Sequence, residues 1–95
     1  MPVTICVLLW AREGQVDALI AYEDRVLQLV HDYGGQVIFR GRAREQGDGP
    51  TEVHILAYPS QEAFDAYMHD ERRVAMSAQR EEAIAQTDVV YLKEV

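Results

Sequence analysis

A histidine and an arginine lie in neighbouring apolar runs of the chain, and together they could move a proton and hold an anion. His54 stands in the middle of residues 51–58, which read TEVHILAY. A free imidazole titrates with a pKa of about 6.5, which suits general acid or base catalysis. Arg40 stands in the preceding run, and its planar guanidinium could bind a carboxylate or an enolate. The structural alternatives for His54 are pairing with Glu52 or a cross-strand neighbour, or a place in a dimer interface. The alternative for Arg40 is an ion pair with Glu52 or Glu94.

The other reactive residue types do not form a recognisable site. Cys6 is the only cysteine, which excludes a disulfide within the chain and a multi-cysteine zinc site. His69 precedes Asp70 and Glu71, but adjacent residues diverge around a helix, so the spacing predicts no metal site. There is no glycine-rich phosphate loop either, and we expect no cofactor.

The length and the charge of the chain exclude several classes of protein. Its 95 residues fit a single domain over 1–95. Sixteen acidic and nine basic residues give a net charge of −7, which argues against binding to nucleic acid. No apolar run approaches the ~20 residues of a membrane span, and the first residues lack the basic region of a signal peptide. We therefore expect a cytoplasmic protein that binds neither nucleic acid nor membrane.

Apolar spacing divides the chain into segments in the order β-α-β-β-α-β. Recurrence at i, i+3, i+4 indicates helices, alternating or continuous apolar runs indicate strands, and Gly34-Gly35 is a typical helix end. The segments are a strand at 3–10, a helix at 15–33, strands at 36–42 and 51–58, a helix capped by Ser60, a helix at 71–86 after Asp70, and a strand at 87–95. With right-handed crossovers this order predicts the α+β, ferredoxin-like arrangement. Its sheet has four antiparallel strands in the order 4-1-3-2, with the helices on one face.

The other face of the predicted sheet is the candidate site. Side chains alternate between the two faces of a strand, and the simplest sorting places the small and aliphatic sets under the helices. The open face would then combine apolar and polar residues: Leu8, Trp10, Ile38, Arg40, His54, Leu56 and Tyr58. A monomer seldom exposes such a patch. We therefore expect a homodimer whose paired sheets enclose a small apolar ligand, with His54 as the catalytic residue and Trp10, Ile38, Arg40, Leu56 and Tyr58 as ligand contacts.

Two longer motifs resemble a known family. The chain reads DYGGQVIFRG at 32–41 and PTEVHILAYPSQEAF at 50–64. These runs resemble the dimeric α+β barrel superfamily, in particular the uncharacterised bacterial family called domain of unknown function 1330, and more distantly the antibiotic biosynthesis monooxygenases. The resemblance implies a ferredoxin-like homodimer. Several monooxygenases of the superfamily use an asparagine near the substrate, and because this chain contains no asparagine, no catalytic residue is carried over from them.

Two functions remain open, because one fold serves many activities. The first is a cofactor-independent enzyme, of the monooxygenase, isomerase or cyclase type, acting on a small apolar oxygenated molecule. Its cavity would lie between the sheet and the helices or between two sheets. The second is a non-catalytic module that binds a small ligand or only dimerises.

Overall fold

The computed structural model describes all residues from 1 to 95 and contains the predicted elements in the predicted order. The strands and helices are β1 (Val3–Ala11), α1 (Val16–Val26), a 3-10 helix (Leu27–Tyr33), β2 (Gln36–Arg42), β3 (Glu52–Tyr58), α2 (Gln61–Met68), α3 (Glu71–Ala75), α4 (Ser77–Ala83) and β4 (Ile84–Leu92). None of the helices is long and apolar enough to cross a lipid bilayer.

The helices begin and end at the capping residues that the sequence indicates. The Ser60 hydroxyl accepts a hydrogen bond from the Ala63 amide at 3.1 Å, and the Asp70 carboxylate accepts one from the Arg72 amide at 2.7 Å. Gly34 ends the 3-10 helix with φ 74°, a left-handed conformation that costs glycine no steric penalty.

The helical segments differ from the prediction in two places. The segment 15–33 is α-helical only as far as Val26 and continues as a 3-10 helix. The segment 71–86 divides at Met76 and ends at Ala83, so β4 begins at Ile84 rather than at residue 87.

The four strands form one antiparallel sheet in the order β2-β3-β1-β4, which confirms the predicted topology and the ferredoxin-like fold. β1 and β3 are the central strands. The ladder between β2 and β3 shifts its register between Val37 and Phe39, so Ile38 lies in a bulge of the edge strand.

The predicted assignment of side chains to the two faces is wrong for β3 and also for Arg40 of β2, which pairs with His54 in the sheet and shares its face. Glu52, His54, Leu56 and Tyr58 are all buried, and they pair across the sheet with the same set of β1 residues that packs against the helices. These four residues therefore lie on the helix face, and Val53, Ile55 and Ala57 lie on the open face. The error arose because polar side chains were placed opposite the helices, whereas their charged partners come from the neighbouring strand β2 and from α1.

The apolar core consists of two clusters between the sheet and the helices. Ile5, Val30, Leu56, Tyr58, Phe64 and Tyr67 form the first, and Leu9, Leu19, Tyr22, Val26, Ala83 and Ile84 form the second. The half-buried Val7 contacts both clusters. Because Val7 pairs with His54 in the sheet, the histidine lies where the two clusters meet.

The open face remains apolar in spite of the different sorting. Phe39 is 54% exposed, and Val90 and Leu92 are also exposed. The Phe39 ring lies over Gly41, where an added Cβ would come within 2.6 Å of the ring. Any larger residue at position 41 would therefore displace the Phe39 ring.

Candidate functional site

A small cavity lies between the helix face of the sheet and the helices, and we call it the inner cavity. Its volume is about 50 Å³. Its wall combines four ionisable residues with mostly apolar ones. The ionisable residues are Glu23, His54, Arg73 and Arg80, and the others are Val7, Leu9, Leu27, Leu56, Phe64, Tyr67, Met68, Thr87 and Val89.

His54 is held in one orientation by the residue two positions before it. Because side chains at i and i+2 share a face of a strand, Glu52 and His54 lie side by side, with the His54 Nε2 atom 2.5 Å from Glu52 Oε1. Both residues are almost fully buried, with 0% of the Glu52 surface and 1% of the His54 surface exposed. A carboxylate that receives a ring proton in this way fixes the orientation and the tautomer of an imidazole.

Glu52 is an ionised carboxylate. Burial raises its pKa, but hydrogen bonds from His54, Arg40 and Arg42 outweigh burial and lower the pKa to about 2. The Arg40 and Arg42 Nε atoms lie 2.6 Å and 2.8 Å from the two Glu52 oxygens. Since an ionised carboxylate only accepts hydrogen bonds, the His54 Nε2 atom carries a proton.

The second ring nitrogen of His54 faces another carboxyl group. Nδ1 of His54 lies 3.7 Å from Glu23 Oε1, beyond hydrogen-bond distance, and both residues line the inner cavity. Burial is the main cause that raises the pKa of Glu23, the nearby Glu52 raises it further, and His54 opposes the shift. His54 Nδ1 and the Glu23 carboxyl are therefore two neighbouring positions for a proton at the cavity wall.

These residues belong to a longer series of ionisable side chains, which we call the charged chain. It runs from Asp24 through Arg40, Glu52 and His54 to Glu23. The Arg40 Nη1 atom donates to Asp24 Oδ1 at 2.7 Å. The charged chain thus starts and ends on consecutive residues of α1, and it ties that helix to the edge strand β2 and the central strand β3.

The six predicted site residues do not lie together. His54 and Leu56 line the inner cavity. Arg40 lies behind the cavity wall, where Asp24 and Glu52 occupy its guanidinium. Tyr58 is buried in the first apolar cluster, with a hydroxyl group that has no hydrogen-bond partner.

The remaining two predicted residues lie away from His54. Ile38 is exposed on the edge strand. Trp10 is half-buried at the end of β1, and its Nε1 atom donates to the Asp48 carbonyl at 3.1 Å. Trp10 also lines a second depression of about 290 Å³, the outer cleft, which lies mostly against residues 42–51. The lining of the outer cleft is largely polar and carries no histidine.

Three acidic or basic residues of the cavity wall were not among the predicted site residues: Glu23, Arg73 and Arg80. Glu23 could have been found, because it interrupts the apolar stripe of α1 between Leu19 and Val26 at a position that faces the sheet. Arg73 and Arg80 gave no such signal, since they lie in short helices where charged residues usually face solvent. No group of three or more His, Cys, Asp or Glu side chains is arranged to hold a metal ion.

The chain belongs to the family described as Domain of unknown function (DUF1330), whose model matches residues 13–95. No curated protein matches the chain at a significant level. The family resemblance inferred from the two motifs is therefore confirmed.

Several solved structures share the fold. A protein of unknown function from Rhodopseudomonas palustris has a TM-score of 0.77 and 22% identity, over 99% of this chain and 82% of that one. A dimeric protein of unknown function and ferredoxin-like fold from Bacteroides fragilis has a TM-score of 0.76 and 13% identity, over 98% and 96%. SnoaB, a cofactor-independent oxygenase from Streptomyces nogalater, has a TM-score of 0.74 and 12% identity, over 99% and 93%. At these identities the likeness establishes the fold.

Proposed function

We propose that the protein is a small homodimeric enzyme that transfers a proton to and from a small oxygenated organic molecule in the inner cavity, with His54 as the acid and base and no cofactor of its own. One observation carries this proposal. His54 is a buried histidine whose Nε2 atom is fixed by the ionised Glu52, while Nδ1 points to a second carboxyl group at the cavity wall.

The geometry suits removal of a proton from a carbon next to a carbonyl group. With Nε2 protonated, the free Nδ1 atom accepts the proton, and the positive charge that develops on the ring is stabilised by Glu52. Returning the proton to a different carbon is an isomerisation, and attack of the enolate on a second carbonyl is a cyclisation. A cofactor-independent oxygenase would let the enolate react with dioxygen. SnoaB, which is described as such an oxygenase, supports this proposal only through the shared fold.

The size of the inner cavity limits the substrate. A single water needs about 10–15 Å³ of such space, so a cavity of about 50 Å³ accepts a group of a few heavy atoms. The apolar wall formed by Leu56, Phe64 and Met68 favours an alkyl or small ring substituent beside the oxygenated group. Ligand contacts from Trp10, Ile38, Arg40 and Tyr58 remain predictions, which would require binding elsewhere than in this cavity.

A second copy of the chain is the proposed partner of the open face. Phe39, Val90 and Leu92 expose apolar surface there, and a structure with the same fold is described as dimeric.

Replacing Ile55, which lies near the centre of this face, with arginine should separate the copies, because each would bring a charge into the interface. Sedimentation should then give the mass of one chain for Ile55→Arg and of two for the native protein. A native mass of 10.8 kDa would contradict the homodimer. A cytoplasmic location also remains a prediction.

The second candidate function is a non-catalytic ligand-binding or dimerising module. The charged chain favours it, because a histidine and arginines that fully satisfy buried carboxylates are also a structural solution. In that case His54 contributes stability and performs no chemistry.

Proton exchange at carbon distinguishes the two functions. We would follow the loss of the C3 proton signal of 2-oxobutyrate and of its neutral amide in deuterated buffer by NMR. His54→Gln should slow exchange by about 10²- to 10⁴-fold, whereas the exposed His31 replaced by glutamine should leave the rate unchanged. Equal rates for a folded His54→Gln protein and the native protein would exclude catalysis by His54.

A further inference from the structure

Two arginines reach the inner cavity without a carboxylate partner. Arg40, Arg42 and Arg72 each lie within 4.0 Å of a carboxylate. The other five arginines have no such contact: Arg12, Arg25, Arg44, Arg73 and Arg80. Of these five, Arg73 and Arg80 line the inner cavity, so both cationic side chains of the cavity lack a carboxylate within 4.0 Å.

The Arg73 guanidinium is held by two contacts, and one of its hydrogen-bond donors has no partner. Its guanidinium carbon lies 4.7 Å from the centroid of the Tyr67 ring, within cation–π distance. Its Nη1 atom donates to the Met68 carbonyl at 3.1 Å. Its Nε atom is buried and has no hydrogen-bond partner. Leaving a buried charged donor unpaired is costly, so a small shift of the Arg73 side chain that lets a ligand accept this hydrogen bond is favoured.

Arg80 is fixed at another part of the same cavity. It belongs to α4, and its Nη2 atom donates to the Thr87 hydroxyl of β4 at 2.8 Å. That single neutral acceptor leaves its other donors and its charge available. Both arginines are half-buried, so a bound anion would be partly shielded from water and would interact strongly with them.

We infer that the inner cavity binds a small organic carboxylate, with the carboxylate at Arg73 and Arg80 and the adjacent carbon toward His54. This inference rests on the proposed function and names its substrate class as a short oxo acid. A planar carboxylate fits the guanidinium fork in two hydrogen bonds, and the apolar wall accepts the alkyl chain, which inorganic phosphate lacks. Glu23 also lines the cavity, and burial raises the pKa of its carboxyl group, which favours the neutral form that does not repel a carboxylate.

Binding can be measured independently of turnover. We would titrate the native protein with 2-oxobutyrate, its neutral amide and inorganic phosphate, following the NMR signals of the arginine Nε–H groups. The Arg73 signal should shift with 2-oxobutyrate alone. Arg73→Gln and, independently, Arg80→Gln should each weaken binding by about tenfold or more. The exposed Arg25 has no carboxylate partner, and its replacement by glutamine is a control for the loss of one charge.

The possible outcomes separate this inference from the proposed function. Carboxylate binding that depends on Arg73 or Arg80, without proton exchange, would support the anion site and refute the catalytic role of His54. Proton exchange with equal binding of 2-oxobutyrate and its amide would support the catalytic role and overturn the anion site. Phosphate binding as tight as that of 2-oxobutyrate, or equal weakening in Arg25→Gln, would also overturn the anion site.

Discussion

The two faces of the sheet combine polarity and burial in opposite ways. On β3 the helix face carries Glu52 and His54 beside apolar residues, and all of them are buried. The open face of the same strand carries Val53, Ile55 and Ala57, which no helix covers. The comparison shows that polarity alone does not identify the solvent side of a strand. A charged residue can be buried wherever neighbouring elements supply its partners.

The largest expected effect on stability is the difference between a charge placed on the helix face and a charge placed on the open face. Leu56→Arg puts an unpaired guanidinium beneath the helices, and we expect the protein not to fold, because the loss exceeds about 4 kcal/mol. The adjacent Ile55→Arg changes the open face, and its chain should keep the native secondary structure. Circular dichroism and thermal unfolding of both variants measure this difference. A well-folded Leu56→Arg protein would contradict the assignment of the faces.

A smaller loss is expected when the charged chain is broken at its centre. Glu52→Gln leaves Arg40 and Arg42 without their shared carboxylate and removes the acceptor that orients His54. Breaking a buried ion pair costs about 3–5 kcal/mol. Urea denaturation should show this loss. The exposed Glu62 replaced by glutamine is the matched control, and equal stability of the two variants would mean that the buried contacts contribute nothing net.

Acid should weaken the helix face through the same carboxylate. The pKa of Glu52 is lowered to about 2 in the folded protein, so its stabilisation is complete above its ordinary pKa of 4.5 and is lost as the pH falls toward 2. The change is on the order of 3 kcal/mol. Urea denaturation of the native protein from pH 6 to pH 3 should show a decline that is reduced in Glu52→Gln. Parallel declines would assign the acid sensitivity to other groups.

The smallest expected effect is an increase in stability, opposite in sign to the losses above. The pKa of Glu23 is raised, mainly by burial, so its ionisation opposes folding, and this cost grows as the pH rises through the folded-state pKa. Glu23→Gln should therefore increase stability at pH 7 and change it less at pH 5. Urea denaturation at the two pH values measures this. Lower stability at pH 7 would show that Glu23 is a stabilising anion.

The topology was predictable because it depends on strong local signals. The capping residues Ser60 and Asp70, the glycine pair at 34–35 and the apolar spacing define the order of elements. That order, with right-handed crossovers, leaves few possible sheets. The splitting of segment 71–86 was not predictable in the same way, since it follows from contacts that α4 makes with α1 and β4.

The site was only half predictable from the sequence. His54 is conspicuous as a histidine inside an apolar strand, and the alternative in which it pairs with Glu52 was visible from the two-residue spacing. The cavity itself needed the helices. Glu23, Arg73 and Arg80 come from three different elements, and no sequence spacing relates them to β3.

The charged chain also restricts how the sequence can diverge. Each member of the charged chain is the partner of the next, so replacing one member leaves its neighbour unpaired. Replacing all of them with apolar residues can be tolerated. Positions 23, 24, 40, 52 and 54 should therefore change together among related proteins. Covariation among these five positions would show that they evolve as one group. That group includes two consecutive residues of α1 and extends from the surface to the cavity.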